Sequence, residues 1–123
     1  MNPTPADLKE QLLEVMPNGL MCLNAAGEVC RVNARLCSWL GLDGPDVLGT
    51  AFEDLTFLGG SNLTMARERV REALAGNDII PFDLLLKPRG GDDLRGHFWA
   101  AHLPPPRSSG AVLALFITDV TES

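Results

Sequence analysis

The chain has no tyrosine, two histidines and three cysteines, and each scarcity removes a class of chemistry. His97 and His102 stand five apart in a segment read below as a strand, so they point to opposite faces and do not share a metal. A lone strand histidine of this kind reads as a hydrogen-bonded structural residue. Cys22, Cys30 and Cys37 form no C-x-x-C pair, and an odd count in a domain with its own core reads as small apolar residues in a reducing cytosol. A run of about 20 apolar residues, the length needed to cross a bilayer, is missing. The opening MNPTPADLKEQ also lacks the basic-then-apolar order of a secretion signal. No Walker loop, G-x-S-x-G or G-x-G-x-x-G occurs, and Gly90-Gly91 with Asp92-Asp93 read as turn residues. The net charge is −6, and the densest basic stretch, Arg67, Arg69 and Arg71, is interleaved with Glu68 and Glu72. That is a solvated helix face rather than a phosphate-binding surface. The reading is a cytoplasmic non-enzyme that binds neither nucleic acid nor metal and has no membrane span.

What is present suits one globular domain: 123 residues, 46% of them hydrophobic, enough for one core. Thr4-Pro5-Ala6-Asp7 spells a helix start, and Leu8, Leu12 and Val15 then form one stripe of an amphipathic helix that ends before Pro17. Gly19 to Ala25 and Glu28 to Val32 read as a hairpin about Ala26-Gly27. Asn33 heads a short helix stopped by Gly41. Ala51 to Gly60 reads as loop or short helical pieces. A longer helix runs from Ser61 or Asn62 to about Ala75, with Leu63, Ala66, Val70, Ala73 and Leu74 inward and Gly76-Asn77 as its stop. The period then shortens: Ile80, Phe82, Leu84 and Leu86 alternate with polar residues, and Pro81 places this strand at a sheet edge. Strands from Leu94 to Leu103 and from Ala111 to Ile117 complete the chain. Two strands, the first and the last, are apolar on both faces and belong at the centre. The fold class is α+β, a five-stranded antiparallel sheet with helices on one face.

The stretch MPNGLMCLNAAGEVCRVNARLCSWLGLDGPDVLG resembles the opening half of a PAS domain, a sensory module of signalling proteins. The resemblance rests on Pro17 and Gly19, the Ala26-Gly27 turn, Asn33, Gly41 and the Asp46-Val47-Leu48-Gly49 tetrad. At the other end, Ile117-Thr118-Asp119-Val120-Thr121 is similar to the closing Asp-Ile-Thr signature. The resemblance spans roughly residues 10 to 121 and implies the strand order 2-1-5-4-3. It divides the chain into an N-terminal amphipathic helix over 1–17, which either covers the outer face of the sheet or pairs with its copy across a two-fold axis, a core over 18–119 and the start of an output linker over 120–123.

The resemblance also implies a possible pocket between sheet and helices, for which the candidate lining is Leu36, Leu40, Phe52, Leu55, Leu63, Val70, Phe82, Leu84, Phe98 and Leu115. The same residues at the same spacing describe a packed core. Phe52 stands where blue-light members carry the adduct-forming cysteine, which excludes a covalent flavin adduct. The long helix lacks the histidine that holds haem in haem-binding members. The expectation is therefore no cofactor, with non-covalent flavin or a small organic ligand as the alternative. The implied function is regulatory: a homodimer, formed through the helix stripe of Leu8, Leu12 and Val15, relays a signal to a downstream effector such as a histidine kinase. A ligand sensor and a stand-alone interaction scaffold are the alternatives. Asp119-Val120-Thr121-Glu122 has capping-box spacing, with the Asp119 carboxylate facing the N–H of Glu122 and Glu122 returning the bond. Asp119, Thr121 and Glu122 are thus the expected output joint, where a helix begins and continues toward the effector.

Overall fold

The computed structural model describes residues 17–104 and 110–121. The helix expected to carry Leu8, Leu12 and Val15, and the capping role of Glu122, lie outside the described residues. Strand β1, Gly19–Asn24, turns through Ala26-Gly27 into β2, Val29–Val32. The turn closes because Asn24 Oδ1 accepts the backbone N–H of Ala26 at 3.0 Å and of Glu28 at 2.9 Å, while Gly27 adopts a left-handed φ of 81°. Helix α1, Ala34–Leu40, starts at Asn33, whose side chain accepts the N–H of Leu36, and stops at Gly41 with φ 66°. A one-turn helix α2, Gly44–Val47, and a 3-10 turn, Phe52–Asp54, carry the chain across the sheet.

Helix α3, Leu63–Leu74, buries Ala66, Val70 and Ala73, the stripe that the sequence spacing places inward, with Leu63 and Leu74 packed at its margins. It ends where Gly76 N donates to Ala73 O at 3.0 Å and Asn77 N to Glu72 O at 3.0 Å. Strands β4, Phe82–Leu86, β5, Leu94–His102, and β6, Ala111–Asp119, follow.

Among the described residues all pairings are antiparallel, and with Leu58–Gly59 as β3 the order is β2-β1-β6-β5-β4-β3. The five expected strands are present in the expected order. The sixth is β3, the two-residue strand Leu58–Gly59, which pairs with Leu86 and Leu85. It covers one half of β4 and leaves the half next to Pro81 as the edge. The strand expected from Ile80 begins only at Phe82, because proline brings no ladder N–H; Ile80 lies before it with 62% of its surface exposed. The last strand runs past Ile117 to Asp119, two residues longer than its apolar stretch.

β1 and β6 occupy the centre, as their two-sided apolarity requires. Their inward residues, Met21, Leu23, Leu113, Leu115 and Ile117, join the helices in the main core. Their outward residues Leu20, Cys22 and Ala114, with Ala111, form a second apolar cluster on the opposite face of the sheet, flanked by Cys30, Leu103 and Phe116. The fold therefore has two apolar layers, one on each side of the same two strands.

Candidate functional site

Three places bear on function: the layer between sheet and helices, the outer sheet face, and the end of β6. In the first, Leu36, Leu40, Phe52, Leu55, Val70, Phe82, Leu84, Phe98 and Leu115 are all buried in one cluster, with Leu63 packed against it. The structure thus brings the candidate pocket residues together. Phe82 and Phe98, opposed across β4 and β5, stack with ring centroids 5.2 Å apart. Gly96 lies beside them on the inner face because its neighbours leave no space. A methyl group there would meet Ile117, Leu86 and Phe98, each at 3.1 Å.

Clefts of about 200 Å³ and 330 Å³ open on the surface beside this layer. The smaller lies between the Ala26-Gly27 turn and α3 and is lined by Phe52, Val70, Arg67 and Arg71. Both arginines engage Glu53: Arg67 Nη2 donates to its backbone carbonyl at 2.7 Å, and Arg71 Nε donates to its carboxylate at 3.0 Å. The larger cleft is lined by Gly59, Gly60, Asn62, Asp83, Leu84 and Arg95. Among the described residues no cluster of three or more histidine, cysteine or acidic side chains could hold a metal. Both histidines have partners: His97 Nδ1 lies 2.7 Å from Asp83 Oδ1, its register partner on β4, and His102 Nε2 lies 3.0 Å from Asn77 O.

Asn33 is buried completely and joins α1 to the sheet. Its Oδ1 accepts from Leu36 N and from Leu20 N, both at 3.0 Å, and its Nδ2 donates to Asn18 O at 2.9 Å. Sequence spacing identified the cap; the two bonds across to the start of β1 carried no local signal.

On the outer face, Trp99 of β5 and Phe116 of β6 oppose each other and stack at 4.2 Å between centroids. Phe116 is in turn the register partner of Leu20 on β1. An apolar row therefore crosses three strands, and Trp99 remains 39% exposed at its end.

At the end of β6 the expected cap has a different form. Asp119 Oδ1 accepts the N–H of Thr121 at 2.9 Å, the second residue on, a bond that an N-cap side chain also makes. Thr121 turns its hydroxyl back to accept the N–H of Arg95 at 2.8 Å, and Val120 N donates to Arg95 O at 2.9 Å. The joint is thus fastened to the beginning of β5, a long-range tie that the four-residue motif did not reveal.

The sequence matches the PAS fold family over residues 13–123. The chain belongs to that family, whose members are sensory modules. Among curated proteins nothing matches. Solved structures agree with the fold. The PAS domain of an HTR-like protein from Haloarcula marismortui is 26% identical, with a TM-score of 0.65, covering 94% of this chain and 91% of that one. A domain of a sensory box sensor histidine kinase/response regulator from Geobacter sulfurreducens is 21% identical, TM-score 0.66, with coverage of 90% and 91%. The LOV domain of a blue-light activated histidine kinase from Erythrobacter litoralis is 15% identical, TM-score 0.68, with coverage of 87% and 99%. No helix among the described residues is long and apolar enough to cross a membrane.

Proposed function

We propose that this PAS domain is the regulatory module of a cytoplasmic signalling protein, that it acts as a homodimer, and that it relays a signal through β6 to an effector such as a histidine kinase. The observation that carries the reading is the second apolar layer. Leu20, Cys22 and Ala114 face away from the core on the two central strands and are themselves buried; the row continues through half-buried Phe116 to Trp99, where it reaches the surface. The open end of this row, Trp99 stacked on Phe116, is the part that a second copy of the chain can meet, and such a patch suits a two-fold interface. The strand that presents it, β6, also ends in the Asp119–Thr121 joint, so a shift in the packing of the face reaches the output without passing through the core.

In this reading the inner layer holds no resident cofactor, and the stacked Phe82 and Phe98 serve packing. The chain itself carries out no catalysis. The relatives support the reading by class: two of them are parts of histidine kinases. The test is effector output measured in the full-length protein. Trp99→Glu is expected to abolish the response to the signal while effector and domain stay folded; an unchanged response overturns the proposal.

A further inference from the structure

Cys22 and Cys30 are brought together by an irregularity in the β1–β2 hairpin. The register runs Met21 to Val32 and Cys22 to Arg31, then jumps to Leu23 opposite Val29. Cys30 is the extra residue of a β-bulge, so Cys30 and Arg31 together oppose Cys22. The bulge places Cys30 beside Cys22 in the outer apolar cluster, and the Cys30 Sγ lies 3.5 Å from the Cys22 carbonyl oxygen, to which it donates. The register partner of Cys22 is Arg31, the residue next to Cys30, so the two cysteines stand on adjacent strands with the Cys30 sulfur already against the Cys22 backbone; a disulfide joins Cα atoms about 4.4–6.8 Å apart. Cys37 belongs to α1 and lies outside this cluster.

We infer that Cys22 and Cys30 form a redox-responsive dithiol, which a peroxide converts to an intramolecular disulfide across the hairpin. Cys30 is the more exposed of the two and reacts first. Its thiolate attacks the peroxide, a sulfur–oxygen bond forms, the oxygen–oxygen bond breaks, and the released hydroxide takes up a proton to become water. The Cys22 sulfur then attacks the Cys30 sulfenic sulfur; the disulfide forms, the sulfur–oxygen bond breaks, and the hydroxyl leaves with the Cys22 proton as a second water. Two thiols lose two electrons and the peroxide gains them. Burial pushes the Cys30 thiol above its ordinary range, partly offset by a backbone hydrogen bond, so the reaction is slow at neutral pH and accelerates by about tenfold per pH unit as thiolate accumulates. The bridge would staple β2 to β1 in the buried part of the outer layer whose exposed end is assigned above to dimerisation; an effect on the dimer rests on the proposed function, whereas the disulfide itself does not.

The experiment treats the full chain with hydrogen peroxide under native conditions at mildly alkaline pH and then cleaves the denatured, alkylated protein after Glu28, which separates the two cysteines. The expected product keeps both fragments joined, lighter by two hydrogens, until a reductant is added. Cys37→Ser forms it equally, and Cys22→Ser halts at a Cys30 sulfenic acid trapped by a 1,3-diketone. Fragments that separate without reductant, or a bridge that includes Cys37, overturn the inference. Sedimentation of the oxidised chain reads the dimer independently.

Discussion

Asn33 and Leu20 exchange two hydrogen bonds: Leu20 N donates to Asn33 Oδ1 at 3.0 Å, and Asn33 N donates to Leu20 O at 3.1 Å. The same side chain caps α1 and reaches Asn18, so one buried amide fixes where the first helix meets the first strand. Replacing it with alanine leaves the N–H groups of Leu20 and Leu36 unsatisfied. Asn33→Ala is expected to lose about 3 kcal/mol of stability, a cap plus a buried unsatisfied donor, read by urea denaturation. Asn33→Asp keeps the acceptor but removes the donor to Asn18 and is expected to destabilise as well.

Gly96 packs its bare Cα against Ile117, Leu86 and Phe98. Gly96→Ala is expected to cost about 1–3 kcal/mol by overpacking. Because β5 lies between β4 and β6, the Phe82–Phe98 stack should loosen with it, visible as altered aromatic resonances. Unchanged stability would show that the inner layer has spare room.

The output joint separates fold from coupling. Asp119→Ala removes one exposed cap bond and is expected to cost no more than about 1 kcal/mol, while Thr121→Val removes the tie to Arg95. Both should retain the native circular dichroism spectrum and both should weaken effector response in the full-length protein. A large stability loss with intact response would assign these residues to the fold instead.

The raised Cys30 thiol gives a pH test. Its native form holds the proton more firmly than the unfolded chain does, because burial disfavours the thiolate. Its contribution to stability is therefore complete below the unfolded thiol range and is lost as the pH rises through the native value. Alkylation of Cys30 in the native protein is expected to show a midpoint above that of the urea-unfolded chain; coincident midpoints would contradict the burial seen here.

Much of this was legible in the sequence because residue type dictated local geometry. Asn33 and Gly41 bracket α1, Gly76 ends α3, and two-sided apolarity placed β1 and β6 at the centre. The two-residue β3 had no periodicity to read; only pairing with Leu85 and Leu86 makes it a strand. Ile80 fitted an alternation that Pro81 interrupts. The outer layer was foreseeable from Leu20 and Cys22, but the Trp99–Phe116 row depends on the register between distant strands, and the bulge that joins Cys22 to Cys30 depends on one extra residue. The candidate core residues were readable as a group, whereas the ties of Thr121 to Arg95 and of Asn33 to Leu20 join positions far apart in sequence.

The central claim is that the exposed Trp99–Phe116 end of the outer sheet face forms a two-fold interface, and sedimentation velocity of the native chain beside Trp99→Glu tests it most directly. Trp99 is partly exposed, so the substitution spares the core. The expected result is a dimer for the native chain and a folded monomer for the variant; a native monomer, or a variant that still dimerises, would contradict it.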